Sequence, residues 1–464
     1  MNTLPDDVLV EIFHFYMNVW EIGSSEWHTL VHVCQKWRYI VFASSRRLNL
    51  QLLYTGSRPM SEMLDVWPVL PVVVSLTTFS SYFDPCLGNI ATPLESEYHH
   101  RICAINLSVI PTSLWERLAA AMQKPFPELT HLHISVEETP VTPLPDSFLD
   151  GSAPLLRHLA LGNCSFPGIP KLLMSANHLL VLILWNIPDS GYFSPQALVT
   201  ALSAMSRLES LNLKFRSPRS RPDPPSRSTP PLIRSILSAL TYLLFQGVHE
   251  YLEDLLAQIE APLLSTLAIT FFMDLDFVVP QLHRLISQAE RFKTCDKAFV
   301  ETSYRAIQFG IFRETPQSPE ISLEIRCREL DYQLSSLAQV CGSSLLLSTL
   351  VQLDIVDHWH VLPRPHSHRI DDIETTQWLE LLDPFTAVKD LRLSNRVARH
   401  VCQALEELAE ERVTQVLPSL HNVFLRSLQP LESVPKFIVR FVVARQLAGH
   451  PVTVYRWENH EKLL

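Results

Sequence analysis

The chain has 464 residues, of which 47% are hydrophobic and 19% are charged, so it can bury a large core and should be ordered over most of its length. Its formal charge of −10 gives no reason to expect a nucleic-acid surface. Its eight cysteines are scattered, without a Cys-x-x-Cys pair or a paired Cys/His spacing. This usage is typical of reduced thiols in the cytoplasm or nucleus rather than of a disulfide framework or a zinc site.

The sequence predicts neither a secretory signal nor a membrane span. Pro5 and the two aspartates after it interrupt any apolar region near the start. The longest apolar runs, at 69–74 and 437–443, are each broken by a proline or an arginine and are too short to cross a bilayer. We therefore expect no membrane partner, and a location in the cytoplasm or the nucleus.

The first fifty residues carry two apolar patterns at helical spacing. Pro5 suits the first turn of a helix, and the acidic pair after it lies at the positive end of the helix dipole. The two runs are Val8, Leu9, Ile12, Phe13 and Tyr16, and then Trp27, Leu30, Val33, Cys34, Trp37, Ile40 and Val41. So short a segment cannot bury all of this surface alone, so residues 1–50 are predicted to pack on the rest of the chain or on another protein.

These two runs resemble an F-box, a module of three helices. The resemblance rests on residues 4–13 (Leu-Pro-Asp-Asp-Val-Leu-Val-Glu-Ile-Phe) and 33–38 (Val-Cys-Gln-Lys-Trp-Arg), with residues 17–26 as an insertion that lengthens the first interhelical loop. It implies docking on a Skp-type adaptor and so on a cullin-based ubiquitin ligase. The implied adaptor-binding residues are Leu4, Pro5, Leu9, Ile12, Phe13, Leu30, Val33, Cys34 and Trp37. The alternative is an ordinary helical subdomain packed on the remainder of the chain.

Residues 51–125 are predicted to form a connector and an N-terminal cap. A period of two over 46–53 predicts a strand, and the prolines within 56–75 predict a stiff connector. Ser113 is predicted to cap a helix over 114–123, because a glutamate follows it three residues later.

An internal repeat decides the predicted architecture of residues 126–464. The pattern Leu-x-x-Leu-x-Leu, with some valine, isoleucine or phenylalanine, begins at Leu129, Leu156, Leu179, Leu208, Leu240, Leu264, Leu350, Val388 and Leu420. Helical stretches such as 195–205 and 251–259 lie between these strands. One strand–helix unit cannot bury its apolar face alone, so we predict an α/β chain whose units stack into an irregular leucine-rich-repeat-like solenoid. An alternating α/β domain with a twisted sheet would use the same leucines.

Two polar stretches and a closing segment complete the predicted array. Residues 216–231 and 362–372 carry few apolar side chains and are predicted to be surface loops, of which the first should be cut earliest by trypsin. A helix is predicted to end near Leu447, followed by Gly449 as a left-handed cap and by a strand over 452–455.

The resemblance extends beyond the N-terminal module. Segments similar to those of a large family of F-box proteins of mushroom-forming fungi occur in the same order at 42–48, 151–159, 247–254 and 443–453. The match covers nearly the whole chain. It implies an F-box followed by a degenerate leucine-rich array, and it implies no particular substrate.

The sequence carries no recognisable catalytic motif: it has no nucleophile elbow, phosphate loop, dinucleotide fingerprint or zinc helix. A polar cluster is predicted to be a surface turn rather than a transition-metal site: Asp354, Asp357, His358, His360, His366 and His368. The glutamates within 406–411 are predicted to be a solvated helix face. Phe271 and Phe272 are either core residues or a partner-facing patch. We therefore expect no enzyme, no metal and no cofactor.

The predicted function is that of a two-part receptor. The N-terminal helices bind the adaptor, and the array holds a protein substrate close to a charged ubiquitin-conjugating enzyme, which is a proximity effect. The alternative is a non-catalytic scaffold or sensor that uses the array without a ligase. An enzyme with an unrecognised site is the third possibility.

Overall fold

The computed structural model describes residues 4–17, 27–76, 86–137, 143–166, 169–217, 234–272, 278–303, 306–316, 318–326, 330–342, 345–357, 374–408, 414–426 and 436–457. Over these residues the chain is a mixed α/β protein in which short helices alternate with strands. It divides into two compact units, with the boundary in sequence between Leu208 and Glu209. None of the helices in these ranges is both long enough and apolar enough to cross a bilayer.

The first unit begins with three helices and continues with strands that pair in sequence order. Its helices are α1 (Asp6–Met17), α2 (Trp27–Val33), α3 (Gln35–Ala43), α4 (Met60–Val66), α5 (Cys86–Asn89), α6 (Thr92–Glu95), α7 (Thr112–Ala121), α8 (Ile169–Leu173) and α9 (Pro195–Leu202). Its strands are β1 (Leu52–Tyr54), β2 (Val72–Leu76), β3 (Ile102–Ile110), β4 (His131–Val136), β5 (His158–Gly162) and β6 (Val181–Ile187). Each strand is parallel to the next, without the reversal of order that a doubly wound sheet shows.

The second unit holds the remaining elements. Its helices are α10 (His249–Leu256), α11 (Pro280–Gln288), α12 (Leu330–Cys341), α13 (Thr375–Leu382), α14 (Asn395–Glu406) and α15 (Lys436–Leu447). Its strands are β7 (Ser210–Phe215), β8 (Ser235–Ile236), β9 (Tyr242–Gly247), β10 (Ile259–Glu260), β11 (Thr266–Phe272), β12 (Lys297–Thr302), β13 (Ala306–Phe312), β14 (Ile321–Arg326), β15 (Gln352–Asp357), β16 (Asp390–Ser394), β17 (Asn422–Arg426) and β18 (Thr453–Arg456). They lie in the order β7-β9-β11-β14-β13-β12-β15-β16-β17-β18, and β8 pairs with β10 apart from that sheet.

The repeated leucines form the core between strands and helices. Every side chain at the three apolar positions of the nine repeats is at most 3% exposed, which confirms the predicted repeat. Because side chains alternate along a strand, the residues between these leucines form a second face. In β16, for example, Leu391 and Leu393 are buried, whereas Arg392 between them is partly exposed. We call this second face the open face of each sheet.

The second unit departs from the repeat between β11 and β15. Here β12, β13 and β14 form an antiparallel meander, in which β14 runs parallel to β11 and β12 runs parallel to β15. No strands are predicted from the sequence in this region. The leucine pattern does not reveal the meander, because the core side of these strands contains a single leucine, Leu323, among isoleucine, valine, phenylalanine and alanine side chains.

Three local predictions before the array are wrong. Residues 46–49 form a turn rather than a strand, and Asn49 has a φ of 47°, which an extended strand cannot accommodate. The predicted connector 56–75 contains α4 and most of β2, because its prolines lie at the boundaries of these elements rather than throughout a stiff segment. The parallel ladder therefore begins at β1. The N-cap of α7 is Pro111 rather than Ser113.

The end of the array follows the prediction closely. α15 ends at Leu447, and Gly449 has a φ of 79°, as expected of a left-handed cap. β18 begins one residue later than predicted. Several predicted features lie outside the described residues: residues 18–26 of the insertion predicted at 17–26, residues 218–231 of the first loop, all of the second loop, and the four histidines near it. Met17, the first residue of that predicted insertion, is the last residue of α1.

Candidate adaptor-docking surface

Helix α1 carries apolar side chains on two faces. At about 100° per residue, one buried stripe consists of Leu9, Val10 and Phe13. A second stripe, which we call the α1 outer stripe, consists of Val8, Ile12, Phe15 and Tyr16 and is exposed. Ile12 is 47% exposed and Phe15 is 80% exposed. A helix that merely covers a core needs one apolar stripe, so the second one is a candidate docking surface.

The buried stripe holds the N-terminal helices together through aromatic contacts. The rings of Phe13 and Trp37 meet edge to face, with 4.8 Å between their centroids. Trp27 meets Trp67, at the end of α4, in the same way at 5.1 Å. The indole Nε1 of Trp27 also donates a hydrogen bond of 2.9 Å to the carbonyl oxygen of Gln51. The module is thus fixed to the residues that follow it, which gives the outer stripe a rigid base.

Charged contacts set the position of α1 relative to α3. Lys36 Nζ donates to the carbonyl oxygen of Leu4 at 3.2 Å and lies 3.0 Å from Asp6 Oδ1. Arg47, in the turn after α3, pairs with Glu11 of α1. These pairs are exposed, and exposed ion pairs contribute at most about 1 kcal/mol each to stability. Their main effect is therefore to orient the helices.

Cys34 has a specific structural position at the start of α3. It is the N-cap residue, in an extended conformation with φ −160° and ψ 170°. Its Sγ accepts a hydrogen bond of 3.5 Å from the backbone N–H of Trp37. This contact satisfies one of the free donors of the first turn.

Two histidines of α2 lie against the base of the module. The His28 ring stacks on Trp67, with centroids 4.8 Å apart and planes 25° apart. Burial, and secondly the neighbouring His32, lower the pKa of His28. This imidazole is therefore held as a neutral group, and it acts as part of the packing rather than as a charge on the docking surface.

The nine predicted adaptor-binding residues fall into three groups. The exposed residues are Leu4, Pro5, Ile12, Val33 and Cys34, the buried residues are Leu9, Phe13 and Leu30, and Trp37 is partly exposed. The buried three lie inside the module, so they support the surface from below. The predicted set does not include Phe15 or Tyr39, which is 73% exposed on α3. Phe15 follows Ile12 by three residues and lies on the same face of α1, but spacing alone does not show which face is exposed.

The open face of the first unit carries a groove between β2 and β6. Small side chains such as Ala104 and Ala160 form its floor, and histidines stand along it. The rings of His131 and His158 stack with centroids 4.5 Å apart, and His133 meets Trp185 edge to face at 5.3 Å. Burial, then His158 and Arg157, lower the pKa of His131 to about 4, so its ring is neutral near pH 7.

Other candidate sites from the sequence are placed differently. Phe271 and Phe272 are buried at the end of β11, so they are core residues and not a partner-facing patch. Asp354 and Asp357 lie within β15 and are buried, which corrects the predicted surface turn: Gln352 Nε2 donates to Asp354 at 2.9 Å, and the Ser394 hydroxyl donates to Asp357. Among the described residues, no group of three or more metal-ligating side chains occurs.

Several solved structures are similar to this chain, including the following two. A chain of the Rad7 and Elc1 complex from yeast is 12% identical, with 93% of this chain and 92% of that chain covered and a TM-score of 0.32. The leucine-rich repeat-containing protein LegL7 from Legionella pneumophila is 13% identical, with 81% and 97% covered and a TM-score of 0.26. At such TM-scores neither similarity carries an argument about function. No protein-family model matches the chain, and no curated protein matches it.

Proposed function

We propose that this chain is a non-catalytic substrate receptor of a cullin-based ubiquitin ligase, acting in the cytoplasm or nucleus. The α1 outer stripe docks on a Skp-type adaptor, and the open face of the strands holds the protein to be ubiquitinated. The chain contributes proximity: it raises the effective concentration of substrate lysines near the conjugating enzyme.

The observation that carries the proposal is the α1 outer stripe. It lies in the segment whose sequence resembles an F-box, and its side chains have no role in the buried core of the module. Phe15, at 80% exposure, is the kind of aromatic side chain that is enriched at the centre of interfaces. Leu4 and Val33, which are also exposed, were implied in adaptor contact by the resemblance.

A small number of central side chains should supply most of the binding free energy of docking. A specific interface buries roughly 800 Å² on each partner, and a few central side chains each cost about 2 kcal/mol or more on truncation. A carboxylate in such a position is more harmful, because it would be buried without a partner. A cost of about 3–4 kcal/mol weakens binding by a few hundred-fold.

The experiment is adaptor capture from a fungal lysate by the tagged full-length chain. Ile12→Asp with Phe15→Asp should abolish capture and leave the circular dichroism spectrum unchanged, because both side chains are exposed. Leu263→Asp is the matched control: Leu263 is an apolar side chain of the second unit that is 61% exposed, and its variant should capture the adaptor normally.

Leu9→Asp serves a different purpose in the same experiment. Leu9 is 3% exposed, so a charge there should unfold the N-terminal helices and lower the helical signal as well as capture. Failure of the wild-type chain to capture any Skp adaptor would contradict the proposal. The chain would then be better described as a scaffold or sensor that acts without a ligase.

A further inference from the structure

Five side chains on the open face of β16, β17 and the end of β18 form what we call the arginine–aromatic patch. It consists of Arg392, Phe424, Arg426, Tyr455 and Trp457. Strand register brings them together: Arg392 lies opposite Phe424, and Phe424 lies opposite Tyr455. Arg426 is exposed, and Arg392, Tyr455 and Trp457 are partly exposed.

Both guanidinium groups rest on aromatic rings. The guanidinium carbon of Arg392 is 5.4 Å from the ring centroid of Phe424 and 5.7 Å from that of Trp457. The guanidinium carbon of Arg426 lies 5.5 Å from the same Trp457 ring. Phe424 and Tyr455 stack with centroids 5.2 Å apart. Cation–π contacts hold the two guanidinium groups against the rings.

The donors of these arginines are not used within the part of the chain that the structure describes. Arg392 Nε is buried and makes no hydrogen bond there. Of the neighbouring carboxylates, Asp354 accepts from Gln352 Nε2 at 2.9 Å and also feels the charge of Arg392, and Asp390 accepts from Asn422 Nδ2 at 2.8 Å. Neither carboxylate forms a salt bridge with the two guanidinium groups, so their terminal nitrogens are suited to an oxyanion, which arginine binds in a bidentate manner.

The charges around the patch select among oxyanions. Asp354 lies opposite Arg392 in the register, and Asp390 is two residues from it on the same strand. These two negative charges oppose a doubly charged phosphate more strongly than a singly charged carboxylate. The exposed parts of Tyr455 and Trp457 offer apolar surface beside the donors.

We propose that the arginine–aromatic patch binds the carboxylate of an aspartate or glutamate in an extended peptide segment, with an apolar neighbour of that residue packed on the rings. This proposal rests on the proposed function in one respect: the bound peptide is taken to be a segment of a ubiquitination substrate. The binding itself needs neither adaptor nor ligase. It is therefore measured on the purified full-length chain, and its failure would say nothing about adaptor docking.

The test is fluorescence anisotropy with three labelled peptides of the same backbone. One carries glutamates beside leucines, the second has glutamines in place of the glutamates, and the third has phosphoserines there. The glutamate peptide should bind at least about tenfold more tightly than the glutamine peptide, because a charge-assisted hydrogen bond is lost in the latter. Its affinity should fall as salt is added.

Variants locate the site. Arg392→Gln and Arg426→Gln should each weaken the glutamate peptide about tenfold, and Arg392→Lys should recover only part of the loss, because lysine lacks the bidentate fork. Arg399→Gln, an exposed arginine on α14, is the matched control and should bind as wild type does. Thermal unfolding confirms that each variant is folded. Equal binding of the glutamine peptide, binding of the phosphoserine peptide alone, or no effect of the patch variants would overturn the proposal.

Discussion

Of Gly88, Gly151, Gly162 and Gly191 in the first unit, Gly162 is the one where an added methyl group would make the closest contacts. It lies at the end of β5, directly opposite Trp185 on β6, and the indole of Trp185 covers it. A Cβ atom at Gly162 would lie 2.0 Å from Cε2 of Trp185 and 2.3 Å from two further indole atoms. In Gly162→Ala the indole must therefore move off the strand, and its edge-to-face contact with His133 at 5.3 Å is lost as well.

The expected cost follows from overpacking. Forcing a well-packed side chain out of position costs about 1–3 kcal/mol. For a unit of roughly 200 residues, each kcal/mol lowers Tm by about 2–4 °C, so the shift should be roughly 2–12 °C in differential scanning calorimetry. Combining Gly162→Ala with Trp185→Ala should give less than the sum of the two single effects, because the clash has been removed.

Gly88→Ala is the matched control for this measurement. Gly88 lies in α5 of the same unit, and nothing lies within 4 Å of a Cβ built on it. Its replacement should leave Tm unchanged or raise it slightly, because alanine is the better helix former. If Gly162→Ala unfolds at the wild-type temperature, Trp185 does not cover this glycine, and the register of β5 against β6 is wrong.

Three further predictions concern protonation, thiol reactivity and truncation. The pKa of His131 is lowered from 6.5 to about 4 in the folded chain, so between these pH values the unfolded chain binds the proton more readily. The free energy of unfolding, measured in urea, should therefore fall as the pH drops from 6.5 to about 4. The fall should be smaller in His131→Gln. Cys34 is exposed, whereas Cys103, Cys164, Cys295, Cys341 and Cys402 are buried, and burial raises the pKa of each of these five thiols to about 11 or 12. Among these six, a thiol reagent followed by mass spectrometry should therefore modify Cys34 first and the others on unfolding. Truncation at residue 300 cuts through β12 and exposes repeat leucines, so it should give aggregates; a soluble fragment 126–300 that unfolds cooperatively would contradict a stacked array.

The repeat strands could be predicted because one physical pattern repeats along the chain. Leu132 and Ile134 alternate as in a half-buried strand, Leu129 precedes them by three residues, and the same spacing returns eight more times. The meander of β12–β14 could not be predicted in this way. Its core side chains follow the period of two, but they lack the repeat spacing that identified the other strands.

The N-terminal module shows a second limit of the sequence. Periodicity located α1 correctly, but Leu9 and Ile12 are both apolar, and three residues apart they lie on neighbouring parts of the helix. Which of them faces inward depends on contacts with α3 and on aromatic residues such as Trp37, far along the chain. The arginine–aromatic patch was missed for the same kind of reason: Arg392 and Trp457 meet through strand register, not through sequence spacing.

The most direct test of adaptor docking is a calorimetric titration of the purified full-length chain with a purified Skp-type adaptor. We expect a one-to-one complex with the wild-type chain. We also expect a Kd that is a few hundred-fold weaker for Ile12→Asp, and an unchanged Kd for the Leu263→Asp control. No measurable binding by the wild-type chain, or equal binding by Ile12→Asp, would show that the α1 outer stripe is not an adaptor-docking surface.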